Sequence, residues 1–338
     1  MPVTREDTVA AYRMLLGREA TERETEMWLH VPTVADLRQM FISSTEFQAA
    51  LAQASAQGRP QPDRLACDLP AISVEWETDS DAQRRLIEHV TETWTTLGRE
   101  EPHWSVLSND AFKSRNFERN ADWFYESGAR DTNLVTAILE RYGLSPADLR
   151  RAVEYGCGVG RVTPHLAAVF SDLVGIDISE SHLSFAGKAI AKNGCNNVHL
   201  VLARAPDFGM VAPFDVWFSN IVLQHNPPPI IALILRRMFS LLDPGGVAIF
   251  QVTTYAPGYR FNVAEYLGAP KAGAIEIHCL PQRVIFELAH GAGCVPLDVR
   301  EDSAMGYPWL SNLFVFRKQT WHSAETFCPA ARSARNAC

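Results

Sequence analysis

The sequence has no apolar run of eighteen residues. Its most apolar stretch, Ile230–Leu235, is stopped by Arg236 and Arg237, so no membrane-spanning helix is expected. Surplus positive charge is also missing. There are 31 lysines and arginines against 39 aspartates and glutamates, a formal net charge of -8. That balance makes the chain a poor partner for nucleic acid. The opening residues "MPVTRED" lack the apolar core of a signal peptide. The cysteines (Cys67, Cys157, Cys195, Cys279, Cys294, Cys328 and Cys338) are scattered and odd in number, with no CxxC or metal-finger spacing. Reduced thiols, a cytoplasmic location and no metal site are therefore expected. What is present is an ordinary globular balance, with 47% hydrophobic and 21% charged residues. A length of 338 residues allows two domains, or one large domain with an appendage.

Residues 1–56 read as a small helical domain. Thr4 with Asp7, Thr21 with Glu24, Thr33 with Asp36 and Ser43 with Glu46 have the spacing of helix starts. Val9, Tyr12, Leu15 and Leu16 form one apolar stripe, Leu37, Met40 and Phe41 a second, and Phe47 and Leu51 a third. Residues 57–102 read as a linker rich in Ala, Gln, Pro and Gly, followed by a connecting helix over about 79–97. An aromatic, lid-like segment spans 103–130, and residues 319–338 read as a mobile tail.

Between 131 and 318 helical patterns alternate with strand candidates at 152–155, 173–178, 198–202, 214–219 and 247–253, followed by 295–300 and 313–316. The fold class expected is α/β: a Rossmann-like, seven-stranded, mostly parallel sheet with helices on both faces. The short connection between the last two candidates makes them an antiparallel pair. The helical appendage is all-α.

The segment "VEYGCGVGRVTPHLAAVF" (153–170) is a glycine loop between a strand and a helix. A dinucleotide loop reads GxGxxG/A and needs a small third residue. Here Gly156 and Gly158 fit, but Arg161 holds the third place and the extra glycine is Gly160. Glu154, just before the loop, would repel a pyrophosphate and attract an ammonium or sulfonium. Cys157, inside the loop, reads either as a reactive thiol or as a small residue filling a turn; no partner base lies nearby in the segment.

This E-x-G-x-G-x-G arrangement resembles motif I of the class I methyltransferases that use S-adenosylmethionine (SAM). The resemblance implies that Glu154 acts on the methionine amino group, and that Gly156, Cys157, Gly158 and Gly160 let the backbone lie close to the cofactor. Asp177, closing the next strand in "DLVGIDIS", has the spacing of a ribose-binding carboxylate; the other reading is a helix N-cap. Ile178 follows it. After the third strand the family places an acidic residue against adenine, but "HLVLARAPDFG" offers Arg204. The contact then falls to the backbone near Ala205, or to Asp207 in a shifted register. Asn220 closes the fourth strand, "LQHNP" follows, and "LLDPGG" turns into the fifth. The resemblance covers about 133–318, with four motifs in order.

His225, after the fourth strand, is the candidate general base, with a structural histidine as its other reading. His165 and His182 read as structural. Two segments are candidates to enclose the acceptor. One is 103–128, with Trp104, Trp123, Phe124 and Tyr125; the other is the insertion 254–280, with Tyr255, Tyr259, Arg260 and Tyr266. Tyr125 is expected beside the cofactor.

The helical appendage, through "AYRMLLGRE", Trp28 and "FISSTEF", resembles a bacterial domain of unknown function often attached to surface-polysaccharide and glycosyl-transfer enzymes. That implies O-methylation of a sugar or polysaccharide precursor, with SAM as cofactor and S-adenosylhomocysteine (SAH) as product. A small-metabolite or natural-product acceptor is the alternative. A noncatalytic SAM-binding adaptor, docking a glycosyl-transfer protein through residues 1–56, is the reading from another class. A nicotinamide dehydrogenase is disfavoured by Glu154 and Arg161.

Overall fold

The alternation of apolar strands and amphipathic helices builds one seven-stranded sheet in the computed structural model. The structure describes residues 3–16, 18–47, 70–210, 212–270, 275–302 and 304–320. The chain divides into two units, Met1–Leu69 and Pro70–Cys338.

In the larger unit the strands are β1 (Ser73–Val74), β2 (Arg151–Tyr155), β3 (Asp172–Asp177), β4 (Val198–Leu202), β5 (Phe214–Ser219), β6 (Leu242–Tyr255), β7 (Arg260–Phe261), β8 (Cys294–Asp302) and β9 (Leu310–Lys318). The main sheet has the order β4-β3-β2-β5-β6-β9-β8. Its first five strands pair in parallel, and β9 runs antiparallel to both β6 and β8. The expected fold class and the antiparallel final pair are both present. The Asp243–Gly246 turn lies within the pairing of β6, which jumps in register from Phe214↔Leu242 to Val216↔Val247. A parallel pairing of β1 with β7 was not foreseen, since two residues carry no periodicity.

The period of two along each strand sorts side chains between two cores. Val153, Trp217, Ala248 and Phe250 face one cluster, shared with the Pro228–Leu241 and Gln282–Gly291 helices. Ala152, Val216, Phe218, Val247 and Ile249 face the other, with Val135, Leu139 and Phe170. Both faces are covered, which is why these strands read as continuous apolar runs.

The Ser80–Glu100 helix starts where Asp79 accepts hydrogen bonds from the Asp81 and Ala82 amides, 2.9 Å each. Its far end presses on the turn after β3. A Cβ on Gly98 would lie 2.3 Å from Ser179 Oγ, so only glycine lets the helix come this close. Ser181 Oγ donates to the Gly98 carbonyl at 2.6 Å and fastens the contact.

In the smaller unit, Thr4–Asp7 and Thr21–Glu24 form full capping boxes, and Thr33 caps the Val34–Ser43 helix. Its core is Val3, Tyr12, Val31, Leu37 and Phe41, with Trp28 donating to Tyr12 Oη at 3.2 Å. Arg18 lies over the Tyr12 ring and pairs with Glu24 and Glu46. Two sequence expectations fail here. The start expected at Ser43 belongs to Ser44, whose Oγ accepts from the Phe47 amide, because Ser43 instead donates back to the carbonyls of Gln39 and Met40. Met40 is exposed rather than part of the stripe. Leu51, the 57–69 part of the linker and the tail beyond 320 lie outside the described residues.

Candidate functional site

A pocket opens at the carboxyl ends of β2, β3 and β5. Parallel strands leave their ligand crevice there. Its floor is the glycine loop. Gly156, Gly158 and Gly160 have φ of 78°, 56° and 77°, a backbone that other residues rarely adopt. The loop is tied to β3 by the Gly156 and Cys157 amides, which both donate to the Ile176 carbonyl. Gly156, Cys157 and Gly158 line the pocket. Gly160 does not: a Cβ there would lie 2.9 Å from Ala186 Cα, so this glycine lets the loop meet the Glu180–Lys192 helix. It fills the close-packing role that the dinucleotide pattern gives to the place Arg161 occupies. The Cys157 thiol is pushed well up by burial, then by Asp177 and Glu154, so it carries no thiolate character.

Glu154 is 4% exposed and faces the pocket. Its Oε2 meets no hydrogen-bond donor of ordinary geometry. Burial pushes its pKa up to about 8; Thr163 and Arg161 oppose the shift, while Asp131 and Asp177 add to it. The Thr163 hydroxyl is the neighbouring donor that favours the charged carboxylate, and a cationic ligand would favour it further.

Asp177 lies at the edge of the same pocket. Its Oδ2 accepts from the Gly158 amide at 2.9 Å, and its Oδ1 from the Ser179 amide at 2.9 Å. The N-cap of the following helix is Ser179, not Asp177. A carboxylate has about four acceptor positions, so Asp177 keeps capacity for hydroxyl donors. His182, buried and pocket-lining, sits with Nδ1 3.3 Å from Asp177 Oδ1 and Nε2 3.0 Å from Ser105 Oγ. It links the β3 end to the 105–107 segment, which forms part of the opposite wall. Ile178 also lines the pocket.

At the end of β5, Asn220 Nδ2 donates to Asp131 Oδ1 at 2.7 Å, and Arg161 pairs with Asp131 Oδ2 at 2.9 Å. Arg161 Nε has no partner. Ile221 has φ of 56°, held by its amide donating to Gln251 Oε1 at 3.0 Å. This bend leads into the Leu223–His225 turn. His225 Nδ1 lies 2.8 Å from the Glu276 carbonyl. A carbonyl only accepts, so the proton resides on Nδ1 and Nε2 keeps its lone pair, with Gln224 Nε2 3.3 Å away. Burial lowers the His225 pKa to about 4, against the hydrogen bond to Glu276 and with help from His278. Trp94 stands 5.4 Å from the ring, and Val90 and Leu107 complete this apolar side.

Two expected residues are elsewhere. Tyr125 does not line the pocket. It packs with Phe117, Phe124 and His103, and its carbonyl meets His165 Nε2 at 2.9 Å. The aromatic side chains of this segment form their own cluster around Phe112, Phe124 and Val159, leaving Trp123 exposed, while Ser105, Val106 and Leu107 of the same segment line the pocket. Ala205 is exposed outside the wall, and Ala203 lines it instead. The Ala203 amide donates to the Asp177 carbonyl at 2.7 Å, and the chain then turns away as Arg204 pairs with Glu180. Asp207 holds the Gly209 amide in its own turn. Asp131, Arg161, His182, Trp94 and Ser105 were not foreseen as pocket residues.

Comparison with known proteins agrees with this geometry. Residues 152–246 match the model of a methyltransferase domain. The ubiquinone biosynthesis O-methyltransferase of Pseudomonas fluorescens is 30% identical over 171 residues, covering 49% of this chain and 70% of that protein. The chain belongs to the class I SAM-dependent methyltransferases. The trans-aconitate 2-methyltransferase of Methylobacterium radiotolerans is 33% identical over 130 residues, 37% of this chain and 47% of that protein. The methyltransferase thus spans about half of one relative and 70% of the other. The fold is shared with magnesium protoporphyrin IX methyltransferase from Synechocystis PCC 6803, solved with bound SAH. That likeness has a TM-score of 0.50 and 17% identity, and covers 69% of this chain and all of that one. SAM is the cofactor of the family, and the residues present fit it. Glu154 Oε2 and Arg161 Nε are unpartnered acceptor and donor for a zwitterionic amino acid. No group of His, Cys, Asp or Glu suited to a metal ion occurs among the described residues, and none of their helices is long and apolar enough to cross a membrane.

Proposed function

We propose that this methyltransferase moves a methyl group from SAM to a hydroxyl oxygen of an uncharged acceptor, with His225 as general base. One observation carries the reading: His225 Nδ1–H donates to the Glu276 carbonyl, which leaves Nε2 unprotonated, 3.3 Å from Gln224 Nε2, on a residue that lines the pocket. Glu154 and Arg161 hold the ammonium and carboxylate of the methionine moiety, and Asp177 takes the ribose hydroxyls. Gly156, Cys157, Gly158, Ile178 and Asn220 complete the cofactor contacts; the expected contacts from Tyr125, Gly160 and Ala205 are withdrawn. When bound, SAM supplies a sulfonium-activated methyl group. His225 Nε2 accepts the hydroxyl proton as the new O–CH₃ bond forms and the S–CH₃ bond breaks. The proton taken up would leave His225 as an imidazolium, while Glu154 would keep the ammonium as its partner before and after transfer. The main contribution of the chain is alignment and exclusion of water.

The acceptor side favours a ring-bearing molecule, through Trp94, Val90 and Leu107. A polyanion such as the substrate named for the trans-aconitate relative fits poorly. Glu154, Asp131 and Asp177 stand around the pocket, and its lining cation among the described residues, Arg161, is already paired with Asp131. A sugar or surface-polysaccharide precursor is the acceptor suggested by the resemblance of the helical appendage. A small phenolic metabolite is the second reading, suggested by the ubiquinone-pathway relative. The experiment is SAH formation from SAM with panels of neutral glycans and phenols, and with nucleotide sugars as the anionic comparison, using wild type and His225→Ala. Turnover that survives in His225→Ala removes the base. Tight SAH binding without turnover on any panel favours the adaptor reading, with residues 1–56 as the docking part.

A further inference from the structure

The Nδ1 edge of His225 meets a polar cluster that plays no part in holding the cofactor. Glu276 is at its centre. Its Oε2 lies 2.5 Å from Tyr266 Oη and 3.1 Å from His278 Nε2. Its Oε1 lies 3.7 Å from His89 Nε2, on the helix that also carries Trp94. Chemistry fixes the direction of each bond. A carboxylate only accepts, so Tyr266 O–H and His278 Nε2–H donate to it. On its other side His278 Nδ1 lies 3.0 Å from Tyr259 Oη. The main chain is tied to the same turn. The His278 amide donates to the Gln224 carbonyl at 2.7 Å, beside the bond from His225 Nδ1 to the Glu276 carbonyl at 2.8 Å. Two rungs therefore join residues 224–225 to residues 276–278, one made by a side chain.

From this arrangement we propose that Glu276 is a positioning residue: its carboxylate, held by Tyr266 and His278, aims its own carbonyl at His225 and locks the ring in the Nδ1–H tautomer. The inference rests on the reading of His225 as the base and deepens it. In the other tautomer the Nδ1 lone pair would point at a carbonyl lone pair, and Nε2 would carry a proton and be useless as a base. The cluster draws on three separate pieces of chain: the Ser80–Glu100 helix, the Val263–Gly268 helix and the 276–278 segment. The insertion after β6 thus supplies orientation for the base, where its tyrosines were expected to touch the acceptor.

The test is imidazole ¹⁵N NMR of the full chain, saturated with SAH at neutral pH, with His225 assigned by its loss in His225→Gln. Wild type is expected to show His225 with Nδ1 protonated and Nε2 unprotonated. Glu276→Gln and the milder Tyr266→Phe are expected to shift His225 to a mixture with an Nε2–H population, larger in Glu276→Gln. SAH affinity should stay within about threefold of wild type. Nε2–H as the main wild-type form overturns the proposal. So does an unchanged Nδ1–H signal in Tyr266→Phe or Glu276→Gln that still binds SAH. Failure of the base reading looks different: His225→Ala keeps its turnover while the tautomer shifts still occur.

Discussion

The proposed cofactor end of the pocket takes Glu154, Gly156, Gly158 and Asp177 from two neighbouring strands and the glycine loop between them. The proposed acceptor end takes Val90 and Trp94 from one helix, Leu107 from the segment after it and His225 from the turn after β5. His225 in turn depends on Glu276, far along the chain. One end is built mainly by local sequence and backbone hydrogen bonds around β2 and β3, with Arg161 and Asn220 tied to it through Asp131. The other is assembled by tertiary packing across insertions. Substitutions at the first end should act on cofactor affinity, and at the second on turnover.

The largest expected effect is at the acceptor end. His225→Ala should lower turnover by roughly 10²–10⁴-fold, the usual worth of a positioned base, while SAH affinity barely moves. Parallel loss of affinity in calorimetry would merge the two ends into one. Next comes Asp177→Ala, which removes about one or two charged hydrogen bonds to ribose, roughly 1.5–3 kcal/mol each. That is a loss of about tenfold or more in SAH affinity, and unchanged binding would remove Asp177 from the site. Gly98→Ala should cost about 1–3 kcal/mol in a denaturant titration, because the new Cβ collides with Ser179 and shifts the helix bearing Trp94. SAH affinity in the folded variant should change less than in Asp177→Ala. The smallest effect is expected for Ser105→Ala. Loss of its contact with His182 should cost about 0.5–1.5 kcal/mol of stability and leave turnover near wild type.

The same comparison explains what could be read from the sequence. The sheet was legible because strands covered on both faces are apolar runs separated by amphipathic helices. The glycine loop and Asp177 were legible because their partners are sequence neighbours. Arg161 read as a misfit because its role depends on Asp131, on a helix that precedes β2. Tyr125 read as a cofactor contact because its position before that helix says nothing of where the ring packs. The Tyr266–Glu276–His278 cluster had no signal, since its spacing matches no motif. Trp94 and Val90 lie on a helix whose apolar face looks the same whether it covers a core or a pocket.

Glu154 gives the most direct test of the central claim, that the β2 end holds the amino-acid part of SAM. In the free protein its pKa is raised to about 8 by burial, against an ordinary 4.5. The folded state therefore keeps a proton that the unfolded chain loses, and folding stability from this group falls as pH rises from 4.5 towards 8. An ammonium beside Glu154 reverses the shift and expels the proton. The measurement is calorimetric titration with SAH near pH 7 in buffers of different ionisation enthalpy, for wild type and Glu154→Gln. The account predicts micromolar or tighter binding with release of up to about one proton in wild type, and weaker binding without that release in the variant. No binding, or binding whose proton release is the same in Glu154→Gln, would contradict it.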